Sequence, residues 1–155
     1  MTLLEMALGL GMLVMAGTLA VAQESTTEPA SAGKRCTPED LVGRYFIISG
    51  EKYGMEEPED RVKGTVVTFS KDDVLVADKD KKELYSATYK LDSTKNPATI
   101  IMISRVRGSS GEEARGLIEK DGDTVRLVYA LPTGEIPRGF KTREKQLMFV
   151  MKKES

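Results

Sequence analysis

The sequence predicts an all-β fold, a small up-and-down antiparallel barrel of about eight strands with a short N-terminal helical turn; a two-sheet β-sandwich is the alternative. Three observations predict it. From Gly43 onward apolar residues recur with period two rather than 3.6. Turn residues break that pattern at the short intervals expected of hairpins. Each segment carries one mainly apolar face, and short successive links favour sequential neighbours that can close with no free edge. Residues 37–155 make 119 residues, one ordinary domain.

Thr37-Pro38-Glu39-Asp40 supplies an N-cap, a proline at the first helical position and acids in the first turn, so one or two helical turns open the domain. The first strand is predicted at about 43–49 and the second at about 62–69. Ser70-Lys71-Asp72-Asp73 is a tight connection to 74–77, which sets Val74 and Val76 on one face. The alternation is cleanest over 83–91, where Tyr85, Ala87, Tyr89 and Leu91 share one face while Ser86, Thr88 and Lys90 share the other. Residues 93–97 turn the chain into 98–104, a strand with Ile100, Ile101, Met102 and Ile103 on both faces, so it is covered on both sides or its outer face touches something. A flexible loop at 107–111 leads to a strand at 115–119, and Asp121-Gly122 is a strong hairpin signal before 124–130, with Val125, Leu127 and Tyr129 on one face. The last strand, 146–152, turns Leu147, Phe149 and Met151 inward.

Residues 1–22 are unlike the rest: no Lys or Arg, one acid (Glu5), and an apolar run over 6–22 that ends in Ala20-Val21-Ala22 before Gln23-Glu24. This is read as a signal peptide cleaved after Ala22, giving a periplasmic or extracellular protein. The competing reading is a retained anchor, since the 17 apolar residues reach the lower edge of the roughly 17–25 that span a bilayer; membrane contact is expected only through such an uncleaved segment. Residues 23–36 lack large apolar side chains and form a disordered tether. Cys36 at its end is read as an incidental thiol, because the two charges of Gly33-Lys34-Arg35-Cys36 do not suit lipid attachment.

With 23 Lys+Arg against 24 Asp+Glu the chain lacks the basic excess of a nucleic-acid binder. No His and a single Cys exclude His-dependent triads, His-ligated metals and Cys-rich zinc sites built from this chain alone. The acids Glu56-Glu57, Glu59-Asp60 and Glu112-Glu113 fall in loops without the apolar neighbours that raise a carboxyl pKa, and the run at 56–60 lacks the alternation and glycine of a calcium loop. No cofactor, no metal and no catalysis are therefore expected.

Leu41-Val42-Gly43-Arg44-Tyr45, Tyr89-Lys90-Leu91-Asp92-Ser93-Thr94-Lys95-Asn96-Pro97, Gly116-Leu117-Ile118 and Gly122-Asp123-Thr124-Val125 together resemble the pattern of the lipocalin-like domain family of exported proteins found chiefly in planctomycetes. The resemblance spans about residues 39–153. Tyr45 stands where that family usually has Trp, and Pro137-Arg138-Gly139-Phe140 departs from its Arg-Pro-x-x-Phe order. What the resemblance implies is a lipocalin-like barrel and export; it brings no catalytic residues. In lipocalins the Gly-x-Trp strand plugs the closed barrel end, which implies a structural part for Gly43 and Tyr45.

Tyr45, Tyr85, Tyr89 and Tyr129 all fall on apolar faces by parity, and a buried phenol is a large hydrophobe that needs a hydrogen-bond partner. They are the candidate ligand-binding residues of a small apolar or amphipathic molecule held in the barrel, unless side chains fill so small an interior completely. The functional expectation is an exported, monomeric, non-catalytic binding module. The alternative is an interaction domain that docks to a protein or envelope material through its outer surface, for which the two-sided strand at 98–104 is the indicator.

Overall fold

A computed structural model describes residues 36–155. The expected signal peptide, its expected cleavage after Ala22 and nearly all of the expected tether lie outside the described residues. Within them the chain runs α1 (Pro38–Leu41), β1 (Gly43–Lys52), β2 (Met55–Glu56), α2 (Glu59–Val62), β3 (Val66–Phe69), β4 (Asp73–Ala77), β5 (Glu83–Asp92), β6 (Ala98–Ser104), β7 (Glu113–Asp121), β8 (Thr124–Ala130) and β9 (Gln146–Lys153). Strands β3 to β9 pair antiparallel in sequence order, and β1 pairs both β3 and β9. The sheet thus closes into an eight-stranded up-and-down barrel, with β2 a short flap on β1. Closure excludes the sandwich alternative.

One end of the barrel is packed shut. Thr37 and Asp40 form a reciprocal capping box on α1, with the Asp40 amide donating to Thr37 Oγ1 at 3.3 Å and the Thr37 amide to Asp40 Oδ2 at 3.1 Å. The Lys120 ammonium donates to the Asp40 carbonyl at 2.7 Å, fastening the helix to β7. Leu41, with no exposed surface, faces the core. Tyr45, Phe69 and Tyr89 follow as an edge-to-face chain, both centroid pairs 5.7 Å apart. Cys36 corrects the reading of residues 23–36, because it belongs to this core and not to a tether. Burial, and secondarily the Asp40 charge, pushes its thiol up to about 11, so it stays protonated and unreactive.

Two local features depart from the period-two reading. The second strand does not begin at Val62: residues 59–62 form α2, the Thr65 amide turns back to the Val62 carbonyl at 3.1 Å, and the strand starts only at Val66. In β1 the pairing with β9 shifts between Ile47 and Ser49, so Ile48 is an extra residue. Parity reverses there. Tyr45 and Ile47 point inward before the bulge; Gly50 and Lys52 face the interior and its mouth after it, which sends Glu51 outward.

The 131–145 connection folds back onto that outer face. The Thr142 amide and hydroxyl donate to Glu51 Oε1 at 2.7 and 2.6 Å, and Thr142 Oγ1 accepts from the Gly54 amide at 2.7 Å. Gln146, 2% exposed, donates to the Glu135 carbonyl and accepts from the Arg143 amide. Phe140 lies against the Arg126 guanidinium, 4.6 Å from ring centre to cation, while Arg126 also pairs with Glu119. These two bonds from Thr142 hold the Glu51 carboxyl below its usual range. Its folded-state pKa is depressed, so the stability it contributes is present above the unfolded value of ~4.3 and is lost as pH falls through the folded value. Glu51→Gln is therefore expected to lower the unfolding free energy at neutral pH, with the gap to the parent narrowing on acidification below ~4.3. Urea titrations at several pH values check this.

Candidate functional site

The end opposite α1 is open. A cavity of about 320 Å³ enters the barrel there, walled deep down by Ile47, Val67, Val74, Met102, Leu127 and Met151. All six are under 9% exposed and reach the interior by the alternation that the sequence shows, although β1 and β3 do so from the corrected boundaries. Nearer the mouth stand Val62, Tyr85, Tyr129, Leu147 and Phe149, and at the rim Lys52, Glu57 and Arg61. Tyr129 and Phe149 form a tilted pair, centroids 6.4 Å apart. Gly50 makes room for this wall: a β-carbon there would sit 3.2 Å from the Phe149 ring and 3.3 Å from Val62. The volume is at the low end of the ~300–1,000 Å³ typical of small-molecule sites.

The four tyrosines of the sequence reading divide into two pairs. All four point inward, but register places them at different heights along the barrel. Tyr45 and Tyr89 lie at the closed end, buried, and donate to the Leu41 carbonyl at 2.8 Å and the Ser70 carbonyl at 2.6 Å. They are core. Tyr85 and Tyr129 line the cavity, half-buried, and among the described residues neither hydroxyl has a protein hydrogen-bond partner. Burial pushes both phenols up, helped at Tyr85 by Glu112 and at Tyr129 by Tyr85 and Tyr53, so both remain neutral donors.

Four further lining residues escaped the sequence reading. Lys52 faces the mouth only because of the bulge at Ile48, whose one visible signal was Gly50 inside a strand. Val62 and Arg61 arrive on α2, whose start repeats the Pro38-Glu39-Asp40 signal as Pro58-Glu59-Asp60. Thr65 ends the turn after it, 7% exposed. Of the acids in that segment Glu57 alone reaches the mouth, where it pairs with Arg61 at 3.7 Å; Glu56, Glu59 and Asp60 are exposed. Among the described residues no group of three acidic or thiol side chains is placed to hold a metal.

The outer face of β6 is not covered by α1, which caps the closed end instead. Ile101 is half-buried between Lys90 and Arg115, and Ile103, 37% exposed, lies between Thr88 and Glu113. Both isoleucines have polar neighbours on each side, so this face carries scattered apolar residues rather than a contiguous patch. No helix of the described residues is long and apolar enough to cross a membrane. No family model, no curated protein and no solved structure matches the chain.

Proposed function

We propose that this is a non-catalytic binding module, exported by way of residues 1–22, that holds a small apolar or amphipathic molecule inside a lipocalin-like barrel. The observation that carries the reading is the asymmetry of the interior. One end is filled by an aromatic stack with its hydroxyls satisfied, while the other opens into an apolar cavity of about 320 Å³. A core that only had to hold the fold together would close at both ends, because unfilled apolar volume costs stability. Docking through the outer surface has weaker support, since the isoleucines of β6 are isolated by polar neighbours.

The test uses a neutral apolar fluorophore, N-phenylnaphthylamine, titrated into the protein. Saturable binding to the parent is expected. Val76→Phe, which fills the cavity from β4, is expected to weaken it at least about tenfold while the thermal midpoint stays within a few degrees, because the ring occupies existing space. Absence of binding by the parent, or binding indifferent to Val76→Phe, would remove the interior from consideration and leave the outer surface.

A further inference from the structure

The polar groups around the cavity are unequal in kind. Among the described residues Tyr85 and Tyr129 offer two phenolic donors with no protein acceptor, and Thr65, 7% exposed on the cavity wall, adds a hydroxyl that makes no side-chain hydrogen bond. The rim adds two cations, Lys52 and Arg61, and one carboxylate, Glu57, which Arg61 already faces at 3.7 Å. Arg61 retains freedom to turn inward, its side chain being 71% exposed. The closed end provides the contrast: its two phenols, on the same inward faces, both donate to backbone carbonyls. At this open end a half-buried phenol without a protein acceptor donates to water, and an acceptor carried by a ligand that displaces the water takes over that bond, so the two phenols mark the place where a ligand's acceptor belongs.

Resting on the binding reading above, we propose that the ligand is a single-chain or single-ring amphiphile ending in a carboxylate. Its apolar part lies among Val74, Met102 and Leu127, and its carboxylate stands at the mouth within reach of Lys52, Arg61 and the open-end phenols. An ammonium head would set a donor against donors and a cation against two cations. A neutral hydroxyl or ester would satisfy the phenols but leave the rim cations unused, and hydrogen bonds to a charged acceptor are the stronger ones. A two-chain lipid is excluded by size, since the cavity is near the minimum for a small-molecule site.

Displacement of N-phenylnaphthylamine by decanoate, decanol and decylamine, which share one chain length, separates the heads. Decanoate is expected to displace the probe at a concentration at least about tenfold below decanol, with decylamine weakest. The double variant Lys52→Met, Arg61→Met, which keeps the apolar stems, is expected to bring decanoate to the level of decanol when both are measured against the same probe in that variant. Tyr85→Phe with Tyr129→Phe is expected to weaken the acid and the alcohol alike. Equal displacement by acid and alcohol in the parent, or rim variants without effect on decanoate, would overturn the carboxylate assignment and leave the binding reading standing. A parent that binds no probe and no decanoate, by calorimetry, would overturn both.

Discussion

Gly116→Ala is expected to remove more than about 3 kcal/mol of stability, a large share of the roughly 5–15 kcal/mol that holds an ordinary domain folded. A β-carbon on residue 116 would lie 1.9 Å from the Val128 carbonyl oxygen and 2.7 Å from the Tyr129 Cα. Both obstacles are backbone, and no rotamer change moves them. Gly116 stands opposite Tyr129 in the β7–β8 ladder, so relief requires β8 to shift, and with it the wall that carries Leu127 and Tyr129. The control is Gly139→Ala, where nothing lies within 4 Å and the change is expected to be neutral or mildly stabilising. Denaturant midpoints measure both, and a Gly116→Ala midpoint near the parent's would mean that β7 and β8 are not packed as described.

Phe69→Ala is expected to cost about 3–5 kcal/mol. Phe69 is 1% exposed and is the middle ring of the Tyr45–Phe69–Tyr89 stack, so its removal leaves a void at the closed end and breaks both edge-to-face contacts. Phe149→Ala removes the same side chain from a half-buried site at the cavity mouth, where solvent and cavity already adjoin it. Its cost is expected to be clearly smaller than that of Phe69→Ala. Equal losses in parallel urea titrations would show that the two ends of the barrel are packed alike, against the asymmetry on which the binding reading depends.

Local chemistry made much of this fold readable. The alternation over Tyr85–Leu91 and Val125–Tyr129, the Asp121-Gly122 turn and the Thr37-Pro38 helix start all act within a few residues, and each element stands where its pattern puts it. Ile48 shows where that legibility ends. A bulge is decided by how β1 matches β9, about a hundred residues away; Gly50 inside the strand marks an irregularity, but it does not say that Lys52 will turn inward and Glu51 outward. The tyrosines illustrate the same limit along the other axis. Parity says that Tyr45, Tyr85, Tyr89 and Tyr129 face the interior, but whether an inward residue meets the packed end or the cavity depends on its height, which the register of the whole barrel sets. Only Tyr85 and Tyr129 reach the open end.

The pairing of the first strand with the last also governs how the barrel must assemble. Every ladder from β3 to β9 joins neighbours in sequence and can form as a hairpin, on the microsecond scale of local structure. The β1–β9 seam alone joins the two extremes of the domain, Tyr45 to Lys153, and bringing ends about a hundred residues apart together costs on the order of 4 kcal/mol in chain entropy. A chain with every other ladder formed and that seam open would be a meander with two bare edges and its apolar face uncovered, a form exposed to association with other copies. The seven registered pairs of the seam therefore do more than complete a cylinder: they cover both edges that such a form would leave bare, and they are the most non-local pairing in the barrel.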